Sequence, residues 1–133
     1  LFRSSGEDEI VGCQHVRLLS ESISSTQANC VDGSVLLASI FRKIGLEVAL
    51  VLLDDHMLLA VNLDRDGENT AFIETTMLSE SSLSEAIEDG LETFNKHEKR
   101  FNSDKNEDKE FQIISISEAR RLGIMPLKDT STR

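Results

Sequence analysis

Residues 26–48 read TQANCVDGSVLLASIFRKIGLEV, and a polar lead gives way at Cys30 to a strongly apolar run. Val35, Leu36, Ala38, Ser39, Ile40, Phe41 and Ile44 recur close to the helical period, and Gly45 follows as a C-terminal stop. The spacing predicts a helix, mostly buried. Asn29 stands at the N-cap position, and Asp32 at the third helical position, where a carboxylate meets the positive end of the helix dipole. On this reading Cys30 opens the helix. A thiol there feels unsatisfied backbone N–H groups that favour thiolate over thiol, which prepares it to act as a nucleophile.

Downstream, EVALVLLD (47–54), HMLLAVNL (56–63) and TAFIETTM (70–77) read as short apolar strands, with DRDGEN (64–69) as a turn between the last two. An antiparallel sheet is expected. In residues 79–101, Leu83, Ala86, Ile87, Gly90, Leu91 and Phe94 follow helical spacing, and Ser82 with Glu85 forms a capping box. Residues 102–110, NSDKNEDKE, contain no apolar side chain and read as a solvated loop. The stretch 111–127 reads as a strand and then a short helix, capped by Ser117 and ended around Gly123 and Pro126. Upstream, EIVGCQHVRLL (9–19) reads as a strand or an extended lead-in. The expected class is α+β, a helix bearing the cysteine packed on an antiparallel sheet.

Composition narrows the function. A chain of 133 residues with 39% hydrophobic content fits one domain spanning residues 1–133. A formal charge of −10 argues against nucleic acid or an anionic membrane as the main partner, since both select basic surfaces. No apolar run approaches the roughly 20 residues of a membrane helix, and LFRSSGEDEIV at the start lacks the pattern of a signal peptide. A start at Leu1 is what a domain trimmed from a longer chain would show. Two cysteines, Cys13 and Cys30, are too few for a disulfide scaffold and are expected as free thiols. There is neither an internal repeat nor a Gly-rich phosphate loop, and no cofactor is implied.

A thiolate nucleophile needs a partner that carries a proton near neutrality, and histidine is the side chain suited to that. His56 stands at the start of an apolar strand, where a lone imidazole is costly unless it is hydrogen-bonded. The next strand supplies Glu74. Alternation puts His56, Leu58 and Ala60 on one face and Phe72, Glu74 and Thr76 on one face of the neighbour, so in-phase pairing sets His56 beside Glu74.

That ordered set, NCVDGSVLLASIFRKIGLEVALV, then DHMLLAV, then FIETT, resembles the transglutaminase-like branch of the papain-like cysteine enzymes from about Gln27 to Met77. The resemblance implies Cys30 as nucleophile, His56 as base and Glu74 as the orienting acid of a cysteine hydrolase or acyltransferase. The substrate would be a peptide, a protein or a small amide. Such sites commonly place a glutamine upstream of the nucleophile to help bind the oxyanion, and Gln14 is preferred over Gln27 for that role, beside the Cys30 backbone N–H. Val31 follows the cysteine where many members carry an aromatic residue, the acid is glutamate rather than the usual aspartate, and there is no tryptophan. Hydrolysis or another acyl transfer therefore fits at least as well as protein cross-linking.

Two readings compete with an enzyme. Cys13, His15, Cys30 and His56 have zinc-favouring chemistry, although without the close pairing of structural sites. A catalytically silent interaction module with the same fold is the other. Asp54 and Asp55 read as a solvated strand edge, and His97, in a charged helix end, as exposed.

Overall fold

The computed structural model describes residues 30–54, 56–101, 103 and 111–125. Helix α1 (Cys30–Lys43) is followed by strands β1 (Val48–Leu52), β2 (Met57–Asn62) and β3 (Thr70–Ile73), a 3₁₀ turn (Thr75–Ser79), helix α2 (Leu83–Phe101), strand β4 (Gln112–Ser115) and helix α3 (Ile116–Arg121). The class is α+β, with a four-stranded antiparallel sheet in the order β3-β2-β1-β4.

Helix α1 ends as Gly45 dictates. Gly45 adopts a positive φ of 93°, its N–H donates to the Arg42 carbonyl, and Leu46 N–H donates to the Phe41 carbonyl. This pair of bonds is a Schellman closure, which satisfies the last carbonyls of the helix and favours glycine at the left-handed position.

The sheet is covered on both faces, which explains why β2 is an unbroken apolar run and not an alternating one. On one face Val48, Leu59, Val61 and Ile73 pack with Ala38 of α1 and Ala86 of α2. On the other, Val51, Leu53, Leu58 and Ala60 pack with Phe111, and Phe72, Phe94 and Phe101 close over them. Leu58 and Leu59 are fully buried on opposite faces, each contributing about 1.5–3 kcal/mol relative to exposure. Helix α2 crosses the β3 edge, so that Ala86 and Ile87 serve the first face and Phe94 and Phe101 the second. Phe72 and Phe94 stack across that edge with ring centroids 3.9 Å apart.

Several expectations are corrected here. In α1, residues Val31 to Ser34 and Ala38 are buried, but Ile40, like Ile44 just past the helix, is exposed, because only one stripe of the helix meets the sheet. The third strand stops at Ile73, and Thr75 to Ser79 turn into a 3₁₀ helix, with Glu74 as its N-cap. Helix α3 is capped by Ser115, whose hydroxyl accepts from Glu118 N–H, and not by Ser117, whose hydroxyl instead donates to the Glu47 carboxylate. His97 is half-buried, bonded to the Thr93 carbonyl at 2.8 Å and stacked on Phe111. The Ser82–Glu85 capping box forms reciprocally, at 2.8 and 3.3 Å. The Asn29 cap, the 9–19 lead-in and Asp55 lie outside the described residues, whereas Asp54 is exposed as expected.

Candidate active site

Three elements meet at the sheet end where α1 begins. Cys30 is the first residue of α1, a free and half-buried thiol. His56 closes the β1–β2 connection, its carbonyl accepting from Leu53 N–H at 2.8 Å, and immediately precedes β2. Glu74 immediately follows β3 and is buried. The register pairs Leu59 with Ile73 and Ala60 with Phe72, so continuation of the ladder would set Glu74 opposite Leu58, two residues from His56. The two side chains therefore meet diagonally and not face to face. Glutamate has the reach for that diagonal, and His56 Nε2 lies 2.5 Å from Glu74 Oε2.

The remaining Glu74 oxygen is also occupied. Oε1 accepts from the Thr76 hydroxyl at 2.7 Å and from Thr76 N–H at 3.3 Å. Burial raises the Glu74 pKa, but the bonds from His56 and Thr76 outweigh it, and the carboxyl is held below its ordinary value. Glu74 is thus ionised at neutral pH. With Nε2 committed to Glu74, the second ring nitrogen is the one available to Cys30.

The hydrogen bond from His56 is the largest influence on Cys30 and lowers its pKa. Burial opposes it, while the His56 charge and the main-chain N–H groups of Met57 and Val31 add to the lowering. In turn the bonds with Cys30 and then Glu74 push His56 up to about 10, against burial. Both shifts favour the thiolate–imidazolium form of the pair over the neutral one.

The Met57 contribution follows from where β3 stops. On the β1 side the His56 carbonyl accepts from Leu53 N–H and Asn62 N–H donates to the Glu47 carbonyl, whereas Leu63 N–H bonds to Asn69 on the β3 side. By alternation, Met57, Leu59 and Val61 direct their N–H groups toward β3. Because β3 ends at Ile73, the ladder has no strand residue opposite Met57, and its N–H serves the sulfur of Cys30. No sequence signal marks a main-chain donor of this kind. Thr76 was legible only as part of FIETT, where a hydroxyl two residues after an acid is placed to bond back to it.

The first turn of α1 is tied to the residue after the acid. Thr75 donates to the Cys30 carbonyl at 3.3 Å and lies 3.2 Å from the Ser34 hydroxyl. Gly33 permits this approach, since a Cβ there would stand 3.0 Å from Thr75 Oγ1.

The structure thus brings Cys30, His56 and Glu74 together. Gln14, Gln27, Cys13 and His15 lie outside the described residues. Among the described residues, no group of three or more His, Cys, Asp or Glu side chains is arranged to hold a metal ion, and no helix is long and apolar enough to cross a membrane. Comparison with known protein families, with curated proteins and with solved structures finds no match.

Proposed function

We propose that this chain is a transglutaminase-like, papain-related cysteine hydrolase or acyltransferase that cleaves an amide bond through Cys30, His56 and Glu74. The observation that carries the reading is the linked triple in which Glu74 holds His56 by one ring nitrogen at 2.5 Å while the thiolate of Cys30 is stabilised by the same imidazole. Its order along the chain and the E-T-T segment after the third strand add the family resemblance.

In this mechanism the Cys30 sulfur attacks the carbonyl carbon and the carbonyl oxygen takes the negative charge. As the C–N bond breaks, the imidazolium of His56 gives its proton to the departing amine, leaving a thioester and a neutral imidazole. Water or an amine then attacks the thioester, His56 takes the proton from that nucleophile, and the sulfur leaves as thiolate. Glu74 stays ionised throughout and fixes the ring orientation, the role of the acid in such triads. The first-turn N–H groups of α1, with Cys30 at the helix start, supply the electropositive end on which an oxyanion is favoured.

The test is the pH-rate profile of iodoacetamide alkylation, resolved by site with mass spectrometry, on wild type and His56→Ala. Cys30 is expected to react far below the pH at which an ordinary thiol ionises, and to slow sharply in the variant. Slow alkylation of Cys30 whatever occupies position 56 would instead mark a silent interaction domain with the same fold.

A further inference from the structure

The tie between Thr75 and the start of α1 lies outside the triad, yet it joins the two halves of the site. Cys30 comes from a helix, while His56 and Glu74 come from the sheet, so their mutual distance depends on how the helix start is held to the sheet. Thr75 follows the buried acid by a single peptide bond. A threonine hydroxyl has one proton, and donating it to the Cys30 carbonyl leaves Ser34 as donor to Thr75 Oγ1. The chain of bonds Ser34 to Thr75 to Cys30 therefore grips both ends of the first helical turn. Ser34 is fully buried and Thr75 nearly so, and Gly33 between the gripped residues supplies the gap into which the threonine fits.

We propose that Thr75 is a positioning residue that sets the Cys30 sulfur against His56. The inference rests on the thiolate–imidazolium reading above. The Thr75 hydroxyl bonds to the Cys30 carbonyl and the Ser34 hydroxyl, and Thr75 is not among the hydrogen-bond partners of the sulfur or the imidazole. It fixes the first helical turn relative to Glu74, and through Glu74 relative to the ring that Glu74 holds.

The experiment compares wild type, Thr75→Val, Thr75→Ser and Ser34→Ala by the site-resolved alkylation profile and by NMR titration of the His56 ring. Valine keeps the shape and loses the hydroxyl. Near neutral pH its Cys30 alkylation is expected to fall by about tenfold to a hundredfold, the penalty of a displacement near 1 Å. Its apparent Cys30 pKa should rise and its His56 pKa should fall. Serine should restore both, and Ser34→Ala should move both the same way by less. A purely structural role would lower stability and leave the two pKa values in place. A fast wild type with an equally fast, folded Thr75→Val overturns the positioning role alone. If valine does not fold, an unchanged profile in Ser34→Ala does the same. A wild type that alkylates like an ordinary thiol overturns the thiolate reading, and this role with it.

Discussion

His56 and Glu74 are joined through Nε2 and Oε2 at 2.5 Å although the register of β2 and β3 sets them two residues out of step. The bond is made across a diagonal, at strand ends where both residues have left the ladder. A diagonal is longer than a direct cross-strand span, and the second methylene of glutamate supplies the difference.

From this follows a prediction about side-chain length. Glu74→Asp keeps the charge but shortens the reach, and it should lower the His56 pKa toward its ordinary 6.5 nearly as far as Glu74→Gln does. The bond with Cys30 remains in both variants, so neither should bring His56 fully to that value. NMR titration of the ring carbons measures this directly. An aspartate variant indistinguishable from wild type would mean that the carboxylate's charge, and not its reach, is what His56 requires.

Opposite shifts in one pair predict an unusual pH dependence of stability. The pKa of His56 is raised from 6.5 to about 10, so its contribution is complete below 6.5 and is lost as pH rises toward 10. That of Cys30 is lowered from 9.0, so its contribution is complete above 9.0 and is lost as pH falls through the lowered value. Below 9.0, wherever both contributions are changing, the two slopes have opposite signs and offset each other. Cys30→Ser removes the sulfur's share while Glu74 still raises His56, so stability of the variant should decline with pH above about 6.5. Urea midpoints at closely spaced pH values check this, and parallel curves for the two proteins would contradict it.

A third prediction concerns Thr76, which bonds the Glu74 oxygen that His56 does not use. Thr76→Val removes the 2.7 Å hydroxyl bond and leaves Oε1 with the weaker main-chain contact. The Glu74 pKa should rise, because a donor to the charged form is lost. Since the folded value sits below the unfolded one, the stability that Glu74 contributes is lost as pH falls. In the variant that contribution should be smaller and its loss complete at a higher pH. Acid-unfolding curves of the two proteins test the order.

The helix, the first three strands and the capping box were legible because each is written locally, in periodicity, in short apolar runs and in Ser82 with Glu85. Cys30, His56 and Glu74 were legible as types in an order, and even the phase shared by His56 and Glu74 was readable. Their register was not, because a turn such as residues 64–69 does not by itself fix which residues oppose each other. The break of β3 at Ile73 was hidden for a similar reason. Residues Thr75 and Thr76 have good strand propensity, and what turns the chain is tertiary, the Glu74 N–H bonding to the Ala86 carbonyl of α2 at 2.9 Å. The exposure of Ile40 and Ile44 was equally unreadable, since periodicity shows that a helix has an apolar side but not how much of that side a four-stranded sheet covers.

The contact of α2 with the β3 edge gives the sharpest packing prediction. Gly90 is buried in α2, and a Cβ built on it would lie 2.3 Å from the Phe72 carbonyl oxygen and 2.9 Å from the Ile73 nitrogen. Elsewhere in a helix, glycine to alanine gains up to about 1 kcal/mol from propensity. Here the sign should reverse, because the obstruction is strand backbone and cannot rotate aside, and overpacking of this kind costs about 1–3 kcal/mol. The helix must move away from β3, and the Ala86 carbonyl that holds Glu74 N–H moves with it. Gly90→Ala is therefore expected to lower the urea midpoint and also to slow Cys30 alkylation, whereas Glu88→Ala, at an exposed position of the same helix, should leave both near wild type. Lost stability with an unchanged alkylation profile would show that the acid keeps its place without α2. A Gly90→Ala protein as stable as wild type would show that the helix does not sit this close to the strand.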